Sequence, residues 1–145
     1  MIECRNCDFN FYFSPASTNA LILVNKNGEV LLTKRKFEPQ KGYWDLPGGF
    51  VGLGETVEQS LIREIKEELD LTLKDFTYFG SYTSIYPCRG IDYQTLCHTY
   101  VANYHGDKIT VGDDVDEYVF FPKEKIPFDK LSFQDIKDSL KDFIG

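Results

Sequence analysis

The apolar positions of the chain fall into two kinds of pattern, unbroken or alternating runs and stripes at helical spacing. Residues 19–24 (NALILV) form a short continuous apolar run, Asn25-Lys26-Asn27-Gly28 is a turn signal, and Val30-Leu31-Leu32-Thr33 returns. That order predicts a hairpin. Residues 76–84 and 95–103 are rich in Tyr, Phe and Thr and read as strands, with 85–93 (Pro87, Gly90) as a loop between them. Residues 37–43 read as another loop, and the acidic stretch 111–117 as a third, leading into a strand at 118–121. Two segments repeat at helical spacing. Thr56 with Gln59 is a capping box that starts the first helix near Val57, with Glu58, Leu61, Ile62, Ile65 and Leu69 on one third of its circumference. The second has Ser132 as its cap and Phe133, Ile136, Leu140, Phe143 and Ile144 as its stripe. Strands, helix, strands, helix predict the α/β class, with a mixed sheet between helices.

The first helix also carries chemistry. Gly48, Gly49, Gly52 and Gly54 precede it, and Glu64, Glu67 and Glu68 occupy the third of the helix beside its core stripe, with Gln59, Arg63 and Lys66 behind. Glu64 and Glu68, four residues apart, repel by about 0.2–0.5 kcal/mol on a bare helix. A hard divalent cation reverses that sign, and Mg²⁺ suits a few carboxylates with water better than a closed cage. Gly48 and Gly49 let backbone approach a metal or phosphate closely. The competing account is an acidic face in solvent.

Gly49, Glu55, Arg63-Glu64-Ile65-Lys66-Glu67-Glu68 and Leu71 resemble the Nudix box, G-x5-E-x7-R-E-U-x-E-E-x-G-U with U aliphatic. The departure is Asp70, where the family has a glycine suited to a left-handed helix end. The resemblance implies an α/β/α Nudix sandwich and a hydrolase of phosphoric anhydrides. It implies that Glu64, Glu67 and Glu68, with Gly48, hold Mg²⁺ (or Mn²⁺), and that Glu67, Glu68 or the more distant Glu117 takes the proton of the attacking water. Glu55 and Arg63 resemble the family's orienting ion pair beside Gly49. Arg35 resembles its substrate-facing arginine, with solvated strand-end charge an equal alternative, and Trp44 resembles a packing residue beside the site.

Size and charge narrow the setting. At 145 residues the chain reads as one domain, 1–145, able to bury about two-thirds of its unfolded surface. Residues 1–18 resemble the second half of a zinc ribbon, with Cys4 and Cys7 at knuckle spacing. A structural zinc wants four ligands, so a metal-free remnant ranks above bound zinc; Cys97 reads as buried packing. A net charge of −7 disfavours a nucleic-acid polymer as partner, while a small phosphorylated substrate stays open because a metal neutralises it locally. No leader or apolar run long enough for a membrane helix is visible, so the expected location is the cytoplasm, and a homodimer stays open. Tyr82, Tyr86 and Tyr93 are candidates for stacking on a base, against plain packing as the alternative. Together with the aromatic lead-in and Pro87, they favour an ADP-ribose or NADH-type substrate over a nucleoside triphosphate. A non-catalytic nucleotide sensor is a third option, weakened by the retention of every box carboxylate.

Overall fold

The computed structural model describes residues 1–145. Two short strands, β1 (Ile2–Glu3) and β2 (Asn10–Phe11), pair only with each other. Then come β3 (Ala16–Val24), β4 (Val30–Arg35), β5 (Trp44–Asp45), β6 (Gly48–Phe50) and α1 (Val57–Leu69). They are followed by β7 (Thr77–Cys88), β8 (Ile91–Asn103), β9 (Val115–Phe121), two single 3₁₀ turns and α2 (Gln134–Ile144).

β3 shows why the run at 19–24 has no polar alternation. Ala20 and Ile22 face a core with Ile136 and Leu140 of α2, while Leu21 and Leu23 face a second core with Leu61, Ile65 and Leu69 of α1. A strand buried on both faces must be apolar throughout. The mixed sheet therefore lies between the two helices, as the patterning predicted. Leu61, Ile65 and Leu69 are fully buried, each contributing about 1.5–3 kcal/mol, which seats α1 firmly against β3.

The 19–33 hairpin is present only at its turn. β3 and β4 pair at the single step Val24↔Val30; beyond it β3 runs parallel to β8, and β4 takes β5 and β9 as antiparallel neighbours. The opening admits β6, whose Gly48 pairs with Ala20. This split in the sheet is where the cleft forms.

Three other expectations need correction. The loop at 85–93 is instead the end of a long hairpin, with Tyr86 opposite Tyr93 and a turn at Arg89-Gly90. Both turn residues have positive φ, 50° and 79°, the geometry of a tight two-residue turn. The 118–121 strand starts earlier, at Val115, so Glu117 lies within it. Ser132 does not cap α2: its N–H donates to the Trp44 carbonyl in an extended segment, and Phe133 occupies the cap position without a side-chain hydrogen bond.

Candidate active site

The cleft at the split has a volume of about 390 Å³ and is lined by α1 carboxylates and by aromatic side chains. Local sequence places the carboxylates. Thr56 and Gln59 form the capping box as expected, starting α1 at Val57. At the other end of the helix, Asp70 is left-handed (φ 55°, ψ 31°) and its N–H reaches the Lys66 carbonyl, so the cap geometry survives the replacement of glycine.

Ser60 is buried where the apolar pattern had placed Ile62, which is 39% exposed. Ser60 works with Asn19. The Asn19 amide donates to Ser60 Oγ at 2.9 Å and its Oδ1 accepts the Gly49 N–H at 3.2 Å, while Ser60 Oγ donates to the Phe50 carbonyl. These bonds pin β6 between β3 and α1. Gly48 is sterically required there, and Gly49 leaves room for a neighbouring side chain. Gly48 has φ +148°, and a Cβ on it would lie 2.2 Å from the Asn19 carbonyl oxygen; a Cβ on Gly49 would lie 2.6 Å from the Glu64 carboxyl carbon.

Glu64 and Glu68 line the cleft. Glu68 Oε2 accepts the Gly48 N–H at 3.1 Å. Burial pushes its carboxyl well above the usual range, against the pull of that N–H, and Asp45, Glu64 and Asp114 push it further. Burial raises Glu64 as well; Arg63 opposes the shift, and Glu67 and Asp114 add to it. Glu67 faces solvent, 58% exposed.

Arg63 does not lie behind the strip as its angular position suggested. Its long side chain wraps back to Glu55 (Nε–Oε1 2.6 Å, Nη2–Oε2 3.0 Å), Glu64 (2.9 Å) and Glu67 (3.2 Å). Glu55 also accepts the Gly52 N–H at 2.8 Å, and the Arg63 and Gly52 bonds hold its carboxyl down at about 2. Loop, glycines and helix are tied together by this one guanidinium.

The carboxylates fit a hard cation by their chemistry. Glu64 and Glu68 both line the cleft; beyond burial, the charges of Asp45, Glu64 and Asp114 raise Glu68, while Arg63 is paired with Glu64. Mg²⁺ takes few carboxylates and keeps several waters, so Glu64 and Glu68 are the residues that would hold it; no three acidic, imidazole or thiol side chains converge on a point. The same holds at the N-terminus, where Cys4 and Cys7 are exposed without a third ligand group. Cys97 is buried, as expected.

Arg35 also lines the cleft and is already engaged. It donates to Asp45 Oδ2 at 2.9 Å and to the Pro39 carbonyl at 2.8 Å, and it lies 5.0 Å over the Phe133 ring. Burial pushes the Asp45 carboxyl up, and Arg35 draws it part of the way back. Tyr86 lines the cleft, with its ring 5.1 Å from Phe50 and 5.2 Å from Phe133. Asp135 lines the cleft as well, and burial and Asp45 push its carboxyl up to about 6.

Two candidates lie elsewhere. Tyr82 is four residues before Tyr86, about 13 Å along β7, and donates to Asp142 of α2 at 2.9 Å, outside the cleft. Glu117 is 53% exposed and paired with Lys34 at 3.3 Å; Asp114, three residues or about 10 Å earlier, is the acidic residue of that segment lining the cleft. Asp114, Asn19, Ser60, Asp45 and Asp135 escaped the sequence reading. The glycine in Val111-Gly112-Asp113-Asp114 was the only available signal for Asp114, and the buried polar residues gave none.

Comparison with known proteins agrees with this geometry. The NUDIX domain family model matches residues 14–143. The ADP-ribose pyrophosphatase of Methanocaldococcus jannaschii is 38% identical over 136 residues, 94% of this chain and 77% of that protein. The NAD-capped RNA hydrolase NudC of Haemophilus influenzae is 31% identical over 113 residues, 76% of this chain but only 40% of that protein's length. Among solved structures, the MutT NUDIX hydrolase from Burkholderia pseudomallei superposes with a TM-score of 0.77 at 28% identity, covering 89% of this chain and 98% of that one. Fold, box residues and the match over residues 14–143 lead to one conclusion: this chain is a hydrolase of the Nudix family.

Proposed function

We propose that the chain is a single-domain, Mg²⁺-dependent pyrophosphohydrolase (Mn²⁺ serving as well) that cleaves a nucleoside diphosphate linked to a second group, with ADP-ribose or an NADH-type dinucleotide as substrate. The observation that carries this is the mixed lining of one cleft: buried Glu68 and half-buried Glu64 together with the rings of Phe50, Tyr86 and Phe133. In this reading the carboxylates serve the pyrophosphate and the rings a base or ribose. The names of the two relatives support the choice, since ADP-ribose and an NAD cap are both pyrophosphates joined to adenosine.

When bound, the cation neutralises phosphate oxygens and lowers the pKa of a water. Glu64 and Glu68 are its holders in this scheme. Glu67, the solvent-facing carboxylate of the strip, takes the proton of the attacking water, while Glu117 is engaged by Lys34 on β9. Arg63 and Glu55 keep the strip in register with the glycine strand and do not react. Gly48 orients Glu68 through its N–H, and the close approach at Gly49 keeps the way to Glu64 open. Tyr86 offers a face for the adenine, worth about 1–3 kcal/mol per stacked base. Arg35 supports Tyr86 and Phe133 from below, and its guanidinium retains donors for a phosphate oxygen.

The net charge of −7 favours small nucleotides over a nucleic-acid polymer. No helix is long and apolar enough to cross a membrane, and we place the activity in the cytoplasm. The test is kcat/KM for ADP-ribose, NADH and the common nucleoside triphosphates under one Mg²⁺ condition, with product identification. ADP-ribose or NADH should lead. A triphosphate preferred about tenfold or more would overturn the substrate choice, and no turnover of any pyrophosphate would overturn the enzyme assignment.

A further inference from the structure

β7 is a long open edge of the sheet. In the strand order β5-β4-β3-β8-β7 the two ends are β5, two residues long, and β7, twelve. β7 pairs only with β8, and no N–H or carbonyl of residues 77–88 finds a partner in a turn or loop. Its outer row of donors and acceptors therefore faces solvent, an exposure that proteins usually blunt with charge, proline or a bulge. β7 carries such devices only near its ends: a register shift between Tyr78 and Gly80, and Pro87, which has no N–H. Between them residues 80–86 (GSYTSIY) pair step by step with β8. A chain that is 27% charged has no Asp, Glu, Lys or Arg anywhere in 77–88. β9, which pairs only with β4, shows the contrast, with Asp116 and Glu117 exposed along it.

α2 covers one face of β7, with Phe143 against Phe79 and Asp142 accepting from Tyr82, but no strand lies beyond the edge. Ser81 and Thr83 alternate to the uncovered face and are exposed, and Ile85 is 50% exposed. We propose that residues 80–86 are a self-association surface: the same segment of a second copy pairs with them antiparallel, Thr83 opposite Thr83 on a two-fold axis. The sequence suits that occupant. About Thr83 the partners become Tyr82 with Ser84, Ser81 with Ile85 and Gly80 with Tyr86, all uncharged. Thr across from Thr is a favourable cross-strand pair. Two copies at −7 each repel, so they meet best along a seam free of charge. A two-fold contact uses both edges and closes the association at two. Ser81 and Thr83 lie outside the cleft, whereas Tyr86 of the same strand lines it. The pairing thus ties the strand bearing Tyr86 into one sheet through both copies, without using cation or substrate.

The experiment is sedimentation equilibrium on the full chain, from micromolar to millimolar concentration. Chelator and reductant are present, so that neither a metal nor a disulfide at exposed Cys4 and Cys7 joins the copies. The samples are wild type, Thr83→Lys, Thr83→Glu, an equimolar mixture of those two, Ser81→Lys and Phe11→Lys. Wild type should form a dimer. Thr83→Lys and Thr83→Glu should each raise its Kd about tenfold, since a favourable pair across the axis becomes a repulsive one. Their mixture should dimerise as wild type does, because opposite charges then face each other. Phe11→Lys, on the exposed N-terminal hairpin, should leave Kd unchanged. A wild type that stays monomeric throughout overturns the proposal. So does a dimer that the Thr83 variants leave intact and Phe11→Lys weakens, which places the contact on the N-terminal hairpin. A mixture that remains monomeric overturns the register at Thr83. If the Thr83 variants do not fold, Ser81→Lys decides, since an unchanged Kd with a charge set opposite Ile85 rejects the pairing. Association is read without cation or substrate, so its failure leaves the hydrolase reading untouched.

Discussion

Replacing Glu68 with glutamine should change stability and activity in opposite directions. In the fold without cation, Glu68 is a buried carboxylate whose hydrogen bond is to the Gly48 N–H, with Asp45, Glu64 and Asp114 adding like charge. Its folded pKa lies above the unfolded value of 4.5. The native state therefore holds the proton to higher pH than the unfolded chain, and the side chain's contribution to stability falls as pH rises between the two values. At neutral pH the ionised form is a cost. Glutamine keeps the volume and can still accept from Gly48, but removes the charge. By analogy with other buried ions replaced by neutral groups, the gain is about 2 kcal/mol, or about 4–8 °C in melting midpoint for a chain of this length. Saturating Mg²⁺ should reverse the order, because wild type gains about 2.7 kcal/mol at a hundredfold excess over Kd and the variant loses most of that. Turnover should fall at least about a hundredfold, as when a charge-stabilising group is lost. Paired melts in chelator and in Mg²⁺, with an assay of phosphate-containing product, decide the matter. The reasoning fails if the variant melts below wild type in chelator, if the order does not depend on Mg²⁺, or if activity stays near normal.

Three further outcomes are expected. Asp70→Gly should raise the melting midpoint by about 2–4 °C, because the left-handed cap costs a glycine nothing and the lost Lys66–Asp70 pair is exposed; a lowered midpoint would refute it. Glu55 is held near 2 against an ordinary value of 4.5, so its contribution is complete above the upper value and is lost as pH falls through the lower one. An acid-unfolding titration of Glu55→Gln should accordingly show a shallower loss of stability over that window, and a limb as steep as wild type would count against the ion pair. Tyr86→Ala should raise KM for ADP-ribose about tenfold or more, in line with a lost stacking face, while Tyr82→Ala leaves KM within about twofold because its ring lies at α2; equal effects of the two would remove the stacking surface from Tyr86.

What was legible in the sequence was local, and what was not depended on which segments become neighbours. The capping box, the stripe Leu61, Ile65 and Leu69, and the box spacings lie within a single helix and its lead-in, so one periodicity fixes their relative positions. The apolar run of β3 was legible as a strand, but its partner was not: β8, and not β4, runs beside it. Strand residues obey a weaker rule. Tyr82 and Tyr86 share a face of β7, yet about 13 Å of strand puts one under α2 and the other in the cleft. Nothing within 77–88 says where α2 will cross. Glu117 and Asp114 differ in the same way, and the choice between them is made by the backbone of α1, whose terminal carbonyls capture Gly112 and Thr110. Polar residues were hardest of all. Asn19 stands at the head of an apolar run and Ser60 beside a helix stripe, where a reading by hydrophobicity gives them no role. Both are buried because the glycine strand brings Gly49 N–H and the Phe50 carbonyl to them, and a buried amide or hydroxyl needs such partners. A polar residue at the head of an apolar run that ends up buried against a glycine-rich strand therefore marks a backbone docking there. In this chain that docking puts Gly48 and Gly49 against Glu68 and Glu64.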